Sequence, residues 1–199
     1  MAERTVEFFF DVGSPASYLA FTQLPALCAE TQAQLRYRPM LLGGVFKATG
    51  NASPATVPAK GMYTAMDLAR CARHLGVPFQ FNPFFPLNTL QLMRAITAMQ
   101  LHHPDQFERL TRLIFDGLWV QGLNLNDAAV VAQLLSSGGF NPSEVMQLAS
   151  QEDVKEALKA TTEEAVSRMV FGAPTMFVGQ EMFFGQDRLD FVRQALTNS

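Results

Sequence analysis

Strand-like patterns are confined to the two ends of this chain. Residues 6–10 form a short run of β-favouring residues, and residues 34–39 alternate with the period of two that is typical of a strand. Near the other end, residues 175–178 and 182–184 flank a Gly-Gln turn, which predicts a β-hairpin. Strand signals are nearly absent over residues 41–169. Any sheet must therefore be assembled from segments that are far apart in the sequence.

A helix is predicted directly after the first strand. Ser14-Pro15 has the form of a helix N-cap followed by proline at the first helical position, and large apolar residues follow at helical spacing. A right-handed crossover through this helix would lay residues 34–39 parallel to residues 6–10. These segments predict a βαβ unit.

The middle of the chain has a helical pattern, interrupted by turn-rich segments such as Gly43-Gly44 and Thr49-Gly50-Asn51. The predicted helices of this region are residues 60–75, 89–101, 104–119, 126–136, 142–149 and 152–169. Several of its apolar residues are interpreted as helix core, with an apolar substrate pocket as the alternative: Met62, Met66, Phe84, Phe85, Leu90 and Met93.

A closing helix is predicted over residues 187–196, after the hairpin. The order βαβ, inserted helices, ββα is the thioredoxin arrangement interrupted after its second strand. We therefore predict an α/β fold with a large all-helical insertion. Residues 1–40 and 170–199 would form the thioredoxin-like domain, and residues 41–169 would form the inserted helical domain.

Net charge and composition argue against several classes of partner. The formal charge is −3, the pI is near 5.6 and no run of Lys or Arg occurs, so neither nucleic acid nor an anionic membrane surface is expected as a partner. No apolar stretch approaches the roughly 18 to 20 residues that cross a bilayer. The first residues lack the apolar core of a secretory signal, so a cytoplasmic location is expected.

Metal and dithiol chemistry lack residues at usable spacing. Cys28 and Cys71 are far apart and lie outside any C-x-x-C, and the three histidines show no metal-ligand spacing with Cys, Asp or Glu. We therefore predict no metal site and no redox dithiol.

The turn between the first strand and the first helix is the strongest candidate for chemistry. Ser14 and Ser17 stand where a thioredoxin-like redox enzyme carries two cysteines. A helix N-terminus offers unpaired N–H groups and about half a positive charge, which lowers the pKa of a thiol held there. Ser14 could donate a hydrogen bond to a thiolate that belongs to a ligand. The alternative is that Ser14 only caps the helix.

Other candidate positions each have a structural alternative. The Ala173-Pro174 bond, just before the third strand, is either trans or cis, and a cis bond would leave the Ala173 backbone to pair with an extended peptide ligand. Asp187 is either a cap or first-turn acid of the last helix or a receptor for an ammonium group. Lys60 either binds a carboxylate or is solvated, and Asn51 is interpreted as a turn residue.

Six sequence segments together resemble a known family. They are residues 10–18 (FDVGSPASY), 42–51 (LGGVFKATGN), 57–60 (VPAK), 85–89 (FPLNT), 171–175 (FGAPT) and 185–188 (GQDR). In this order, and over nearly the whole length, they resemble the 2-hydroxychromene-2-carboxylate isomerase and kappa-class glutathione transferase group of DsbA-like thioredoxin folds.

The resemblance implies that glutathione is the cofactor and supplies the reactive thiol. By the same resemblance, Ser14 hydrogen-bonds the glutathione sulfur, Pro174 is cis, and the backbone of Ala173 pairs with the cysteinyl unit. A homodimer is also implied.

The resemblance further implies contacts to the two ends of glutathione. Gln186 and Asp187 would hold the γ-glutamyl end, and Asn51 and Lys60 would meet the ligand from the inserted domain. The first functional hypothesis is glutathione-dependent cis–trans isomerisation of 2-hydroxychromene-2-carboxylate, a small aromatic substrate of aromatic-hydrocarbon breakdown. The alternatives are a kappa-class transferase or peroxidase acting on small electrophiles, and a non-catalytic glutathione-binding module.

Overall fold

The computed structural model describes residues 4–198 as one mixed sheet surrounded by helices. The strands are β1 (Thr5–Phe10), β2 (Gln34–Pro39), β3 (Thr175–Val178) and β4 (Glu181–Phe184). The helices of this range are α1 (Pro15–Thr31), α2 (Leu42–Thr49), α3 (Pro58–Leu75), α4 (Leu90–His102), α5 (Pro104–Trp119), α6 (Ala128–Ser137), α7 (Pro142–Ala149), α8 (Glu152–Ser167) and α9 (Leu189–Thr197).

The sheet has the order β2-β1-β3-β4, with β1 inside it. β1 pairs with β2 in parallel, so that Val6 lies opposite Leu35, and it pairs with β3 in the antiparallel sense, with Val6 opposite Val178. Helix α1 provides the crossover that a parallel pair requires. The predicted fold class, a thioredoxin-like α/β fold with a helical insertion after the second strand, is confirmed.

Helix α2 is missing from the sequence prediction, because Gly43-Gly44 favours a turn. In the structure the Gly44 N–H donates to the Leu41 carbonyl in the first turn, and Gly50, with φ of 71°, ends the helix. A Cβ on Gly44 would lie 3.1 Å from Thr162 Cγ2, so the glycine permits α2 to approach α8 closely. The prediction of a turn at Gly43-Gly44 is therefore wrong.

The last helix begins later than predicted. A 3₁₀ turn, Gln186–Arg188, precedes α9, and Arg188 stands at the N-cap of α9. Asp187 is therefore a first-turn acid of the 3₁₀ turn and does not cap α9. Its carboxylate instead accepts a hydrogen bond from the neighbouring Arg188 guanidinium at 2.8 Å.

Three of the six apolar residues interpreted as helix core are exposed, so this part of the prediction is wrong. Met62 and Met66 are 68% and 60% exposed, because α3 turns Leu68 and Ala72 inward and leaves its first half on the surface. Phe84 is also exposed. The rest of the predicted set, Phe85, Leu90 and Met93, belongs to the core or packs against it.

The main hydrophobic core runs without interruption from the sheet into the inserted helices. Phe8 and Phe10 of β1 lie in the same buried cluster as Met93 of α4 and Phe115 of α5. The Phe10 and Phe115 rings are 5.9 Å apart. The division into domains 1–40 with 170–199 and 41–169 stays a proposal about folding units, and a shared core joins the two parts.

The opposite side of the sheet is closed by α8. Arg168, just after α8, forms an ion pair with Glu7 of β1 at 2.8 Å and lies 3.8 Å from the centre of the Phe177 ring of β3. These contacts hold the chain against the sheet just before residues 171–174. Over residues 4–198, no helix combines the length and apolar character needed to span a bilayer.

Candidate functional site

A cavity of about 890 Å³ lies beside the N-terminus of α1. Residues 11–14, the segment from α2 into α3, and residues 171–173 surround it. Its volume is near the upper end of the range of about 300 to 1,000 Å³ that is usual for small-molecule pockets. The aromatic side chains that line it are Phe46, Tyr63, Phe81, Phe85, Phe171 and Phe184.

Ser14 is the N-cap of α1 and also lines the cavity. Its Oγ accepts a hydrogen bond from the Ser17 N–H at 3.1 Å and donates one to the Ala173 carbonyl at 2.9 Å. The cap bond is the structural role expected for Ser14, and it is compatible with a second role. The hydroxyl proton that now points to Ala173 is the one that could turn toward an acceptor in the cavity.

The loop that carries Ser14 is fixed by a buried carboxylate. Asp11 is only 1% exposed, and its Oδ1 accepts a hydrogen bond from the Gly13 N–H at 2.8 Å. Its Oδ2 accepts from the Leu42 N–H at 2.8 Å and from Thr89 Oγ at 3.0 Å. Burial raises the pKa of the Asp11 carboxyl, and the three hydrogen bonds act in the opposite direction.

Val12, between Asp11 and Gly13, is also held by contacts to the insertion. The Val12 carbonyl accepts a hydrogen bond from Trp119 Nε1 at the end of α5, at 2.8 Å. The Val12 N–H points to the sulfur of Met93 in α4, at 3.4 Å. Helices α2, α4 and α5 of the insertion thus all hold this loop.

Residues 171–173 form the wall of the cavity beside Ser14. The Ala173-Pro174 peptide bond is cis, and the Gly185 N–H donates to the Pro174 carbonyl at 3.0 Å. The Asn51 side chain reaches across from the end of α2 and donates from Nδ2 to the Phe171 carbonyl at 2.8 Å. Asn51 therefore connects the inserted segment to this wall in addition to forming a turn.

The structure brings most of the predicted site residues together. Ser14, Asn51, Lys60, Ala173 and Gln186 line the cavity. Lys60 projects from the first turn of α3, is exposed, and has no ion-pair partner in the described part of the chain.

Two predicted residues do not line the cavity, Pro174 and Asp187. Pro174 lies behind Ala173, and the Asp187 carboxylate is turned to Arg188. Contact of Asp187 with a ligand stays a prediction that requires a different side-chain position.

Sequence reasoning missed Asp11, Gly13 and Thr89 as residues of the site. The available signal was the position of Asp11 at the end of a buried strand, where an acidic side chain must find donors inside the protein. Thr89 lies 78 positions away from Asp11 in the sequence, so no local pattern indicates that the two side chains meet.

Thiol and metal chemistry by the protein's own residues has no support at this cavity. Cys28 is buried elsewhere, and burial raises its pKa to about 11. Neither Cys28 nor Cys71 lines the cavity. Among residues 4–198, no cluster of three or more His, Cys, Asp or Glu side chains is suited to a metal ion.

The known proteins that this chain resembles are enzymes. Residues 5–197 match the model of the DSBA-like thioredoxin domain. The chain is 32% identical to human glutathione S-transferase kappa 1 over 205 residues, which cover 97% of this chain and 91% of that protein. It is 31% identical to 2-hydroxychromene-2-carboxylate isomerase of Pseudomonas putida over 193 residues, covering 96% and 93% of the two chains.

Structural comparison agrees with the sequence comparison. A solved structure of 2-hydroxychromene-2-carboxylate isomerase matches with a TM-score of 0.85 at 30% identity, covering 98% of this chain and 95% of that one. The resemblance inferred from the six sequence segments is confirmed.

The close approach of Gly13 to Thr89 gives a test of how tightly the loop is packed. A Cβ at position 13 would lie 2.8 Å from Thr89 Cγ2. We expect Gly13→Ala to lower the free energy of unfolding by about 1 to 3 kcal/mol through overpacking. Urea denaturation measures the change.

Two variants control for this result. Thr89→Ser removes the methyl group and keeps the hydroxyl. Combined with Gly13→Ala, it should restore part of the stability that Gly13→Ala loses. Gly43→Ala adds a Cβ in open space within α2 and should be neutral or stabilising. Equal losses for Gly13→Ala and Gly43→Ala would contradict the packing described here.

Proposed function

The chain belongs to the DsbA-like thioredoxin family, in the group of kappa-class glutathione transferases and 2-hydroxychromene-2-carboxylate isomerases, and on this basis we propose that it is a glutathione-dependent enzyme. The observation that carries the proposal is the Ser14 hydroxyl, held at the N-terminus of α1 on the wall of a large cavity that has no cysteine on it. Such a site can bind a thiolate only if a ligand brings the sulfur.

The first role of the site is to stabilise the glutathione thiolate. Ser14 Oγ–H turns from the Ala173 carbonyl to the sulfur, and a hydrogen bond to a charged acceptor is stronger than one to a neutral carbonyl. The N-terminus of α1 contributes N–H groups and a partial positive charge. Both effects favour the thiolate over the thiol and so lower the pKa of the bound glutathione.

The remaining contacts follow the shape of an extended tripeptide. In this proposal the Ala173 backbone, presented by cis Pro174, pairs with the cysteinyl unit, and Gln186 with Asp187 receives the γ-glutamyl end. Lys60 supplies a positive charge on the cavity wall for a carboxylate.

Asn51, unlike Lys60, already makes side-chain hydrogen bonds to the chain around it. Its Nδ2 donates to the Phe171 carbonyl and its Oδ1 accepts from the Ala52 N–H, which leaves one N–H and one oxygen lone pair of the amide for glutathione. We therefore keep Asn51 as a contact from the inserted segment.

The reaction we favour is cis–trans isomerisation of a small aromatic substrate of the 2-hydroxychromene-2-carboxylate type. The glutathione thiolate adds to a conjugated carbon, and the displaced electron pair moves onto the carbonyl oxygen as an enolate. The former double bond then rotates as a single bond, and the returning electron pair expels the thiolate unchanged. The aromatic lining of the cavity suits such a substrate, and a fixed hydrogen-bond donor or cation on its wall would stabilise the enolate.

Conjugation of glutathione to an electrophile is the second candidate. The similarity to human glutathione S-transferase kappa 1 supports it as strongly as the similarity to the isomerases supports the first. Both reactions need the same thiolate and differ in whether the carbon–sulfur bond is broken again.

The proposal includes a cytoplasmic homodimer. Exposed apolar side chains on the first half of α3, Met62, Tyr63 and Met66, are costly to leave in water. A second copy of the chain would cover them.

The role of Ser14 is tested by glutathione binding. We expect Ser14→Ala to weaken binding about tenfold to hundredfold, because a hydrogen bond to a charged sulfur is lost. Isothermal titration at neutral pH measures the dissociation constants.

Ser14→Ala also removes a helix cap, so a matched control is needed. Asp127→Ala removes the N-cap of α6, whose carboxylate accepts from the Ala129 N–H at 2.8 Å, and Asp127 does not line the cavity. Each variant should lose about 1 kcal/mol of stability, but Asp127→Ala should bind glutathione like the wild type. Absence of binding by the wild type would overturn the proposed function.

The fate of glutathione distinguishes the two reactions. We expect spectrophotometric turnover of a 2-hydroxychromene-2-carboxylate to require glutathione while the concentration of free thiol stays constant. A thiol assay run beside the optical assay measures this. Depletion of thiol in step with an added electrophile, without isomerisation, would favour the transferase instead.

A further inference from the structure

Asp11 has a set of partners that a purely packing role does not explain. It is buried at 1% exposure without a cationic partner in the described chain, and three donors converge on it from separate elements. We propose that Asp11 is a positioning residue of the thiol site, which fixes the loop carrying Ser14 to helices α2 and α4 of the insertion. The functional part of this proposal rests on the proposed function.

The hydrogen bonding of the Thr89 hydroxyl supports this assignment independently. Thr89 stands at the N-cap of α4, where a threonine hydroxyl ordinarily accepts a hydrogen bond from its own helix. Here it makes no such bond and donates to Asp11 Oδ2 instead. Gly13 reinforces the contact, because only the absence of a Cβ lets the loop approach the Thr89 methyl group.

The arrangement requires a carboxylate. Each Asp11 oxygen faces a backbone N–H that cannot turn away, Gly13 at Oδ1 and Leu42 at Oδ2. An asparagine of the same shape would direct its NH₂ group at one of these two donors. Asp11→Asn therefore disrupts one side of the contact while it keeps the side-chain volume.

Fixing the start of α2 has a consequence for the cavity. The Leu42 N–H held by Asp11 belongs to the first turn of α2, and Asn51 follows immediately after the end of α2. Ser14 follows Asp11 on the other side, with its N–H bonded to the Asp11 carbonyl at 3.0 Å. Asp11 thus fixes the two walls of the cavity relative to each other, and Ser14 acts on the sulfur only while that spacing is held.

A double-mutant cycle between Asp11 and Ser14 tests the positioning role. The dissociation constant for glutathione is measured by titration calorimetry for wild type, Asp11→Asn, Ser14→Ala and the double variant. We expect Ser14→Ala to weaken binding by about tenfold or more in the wild-type background, and by less than about twofold in the Asp11→Asn background. Equal factors in both backgrounds would mean that Asp11 only stabilises the fold, and would overturn the proposal.

A second pair of variants covers the case in which Asp11→Asn does not fold. Thr89→Val removes one of the three donors and should also reduce the effect of Ser14→Ala. Thr111→Val is the matched control, since Thr111 is also buried but donates to Phe107 within its own helix α5. Thr111→Val should leave the full effect of Ser14→Ala. The proposal is wrong if Thr89→Val and Thr111→Val behave alike.

Hydrogen exchange separates failure of this proposal from failure of the proposed function. In the protein without glutathione, Asp11→Asn should speed exchange of either the Gly13 or the Leu42 amide by about tenfold or more, because the amide that faces the new NH₂ group loses its acceptor. Exchange of the Phe107–Thr111 turn should be unchanged. Unaltered exchange at both Gly13 and Leu42 would overturn the role of Asp11, whether or not the wild type binds glutathione.

Discussion

In the loop between β1 and α1, Asp11, Val12 and Gly13 are held by helices that lie far away in the sequence. Asp11 accepts from α2 and from the N-cap of α4, the Val12 carbonyl accepts from the end of α5, and Gly13 packs on Thr89. A loop of this length would ordinarily be free to move. Because these contacts are buried, the position of Ser14 depends on helices α2, α4 and α5 of the insertion.

The insertion and the sheet share one hydrophobic core next to this loop. The buried cluster that contains β1 continues into α4 and α5, so the hydrogen bonds to the loop are made in an environment with little water. Hydrogen bonds in such surroundings are stronger, and leaving any partner unpaired is more costly. The cavity is built from both parts of the chain, with Ser14 and Ala173 on one side and Asn51 and Lys60 on the other. A ligand that contacts both sides would therefore bind between two surfaces whose spacing is fixed.

Local sequence patterns predicted the strands and the first helix well, because each depends on residues close together in the chain. Ser14-Pro15 after a buried strand is an example. The patterns failed where a distant contact decides the outcome. Gly43-Gly44 is helical although its glycines favour a turn, with α8 packed closely at Gly44, and the Asp11 carboxylate is paired because Thr89 and Leu42 reach it. The exposed face of α3 at Met62 could not be foreseen, since helical spacing alone does not tell which apolar residues find a neighbour.

The central claim is that this site binds glutathione as a thiolate although the protein contributes no thiol. The ultraviolet absorbance of the thiolate, followed against pH in the complex, tests this claim directly. The account predicts that the bound thiol ionises well below the value of about 8.5 that is usual for a free thiol, and that Ser14→Ala returns its pKa toward that value. A bound thiol that ionises near its usual pKa in the wild type would contradict the account.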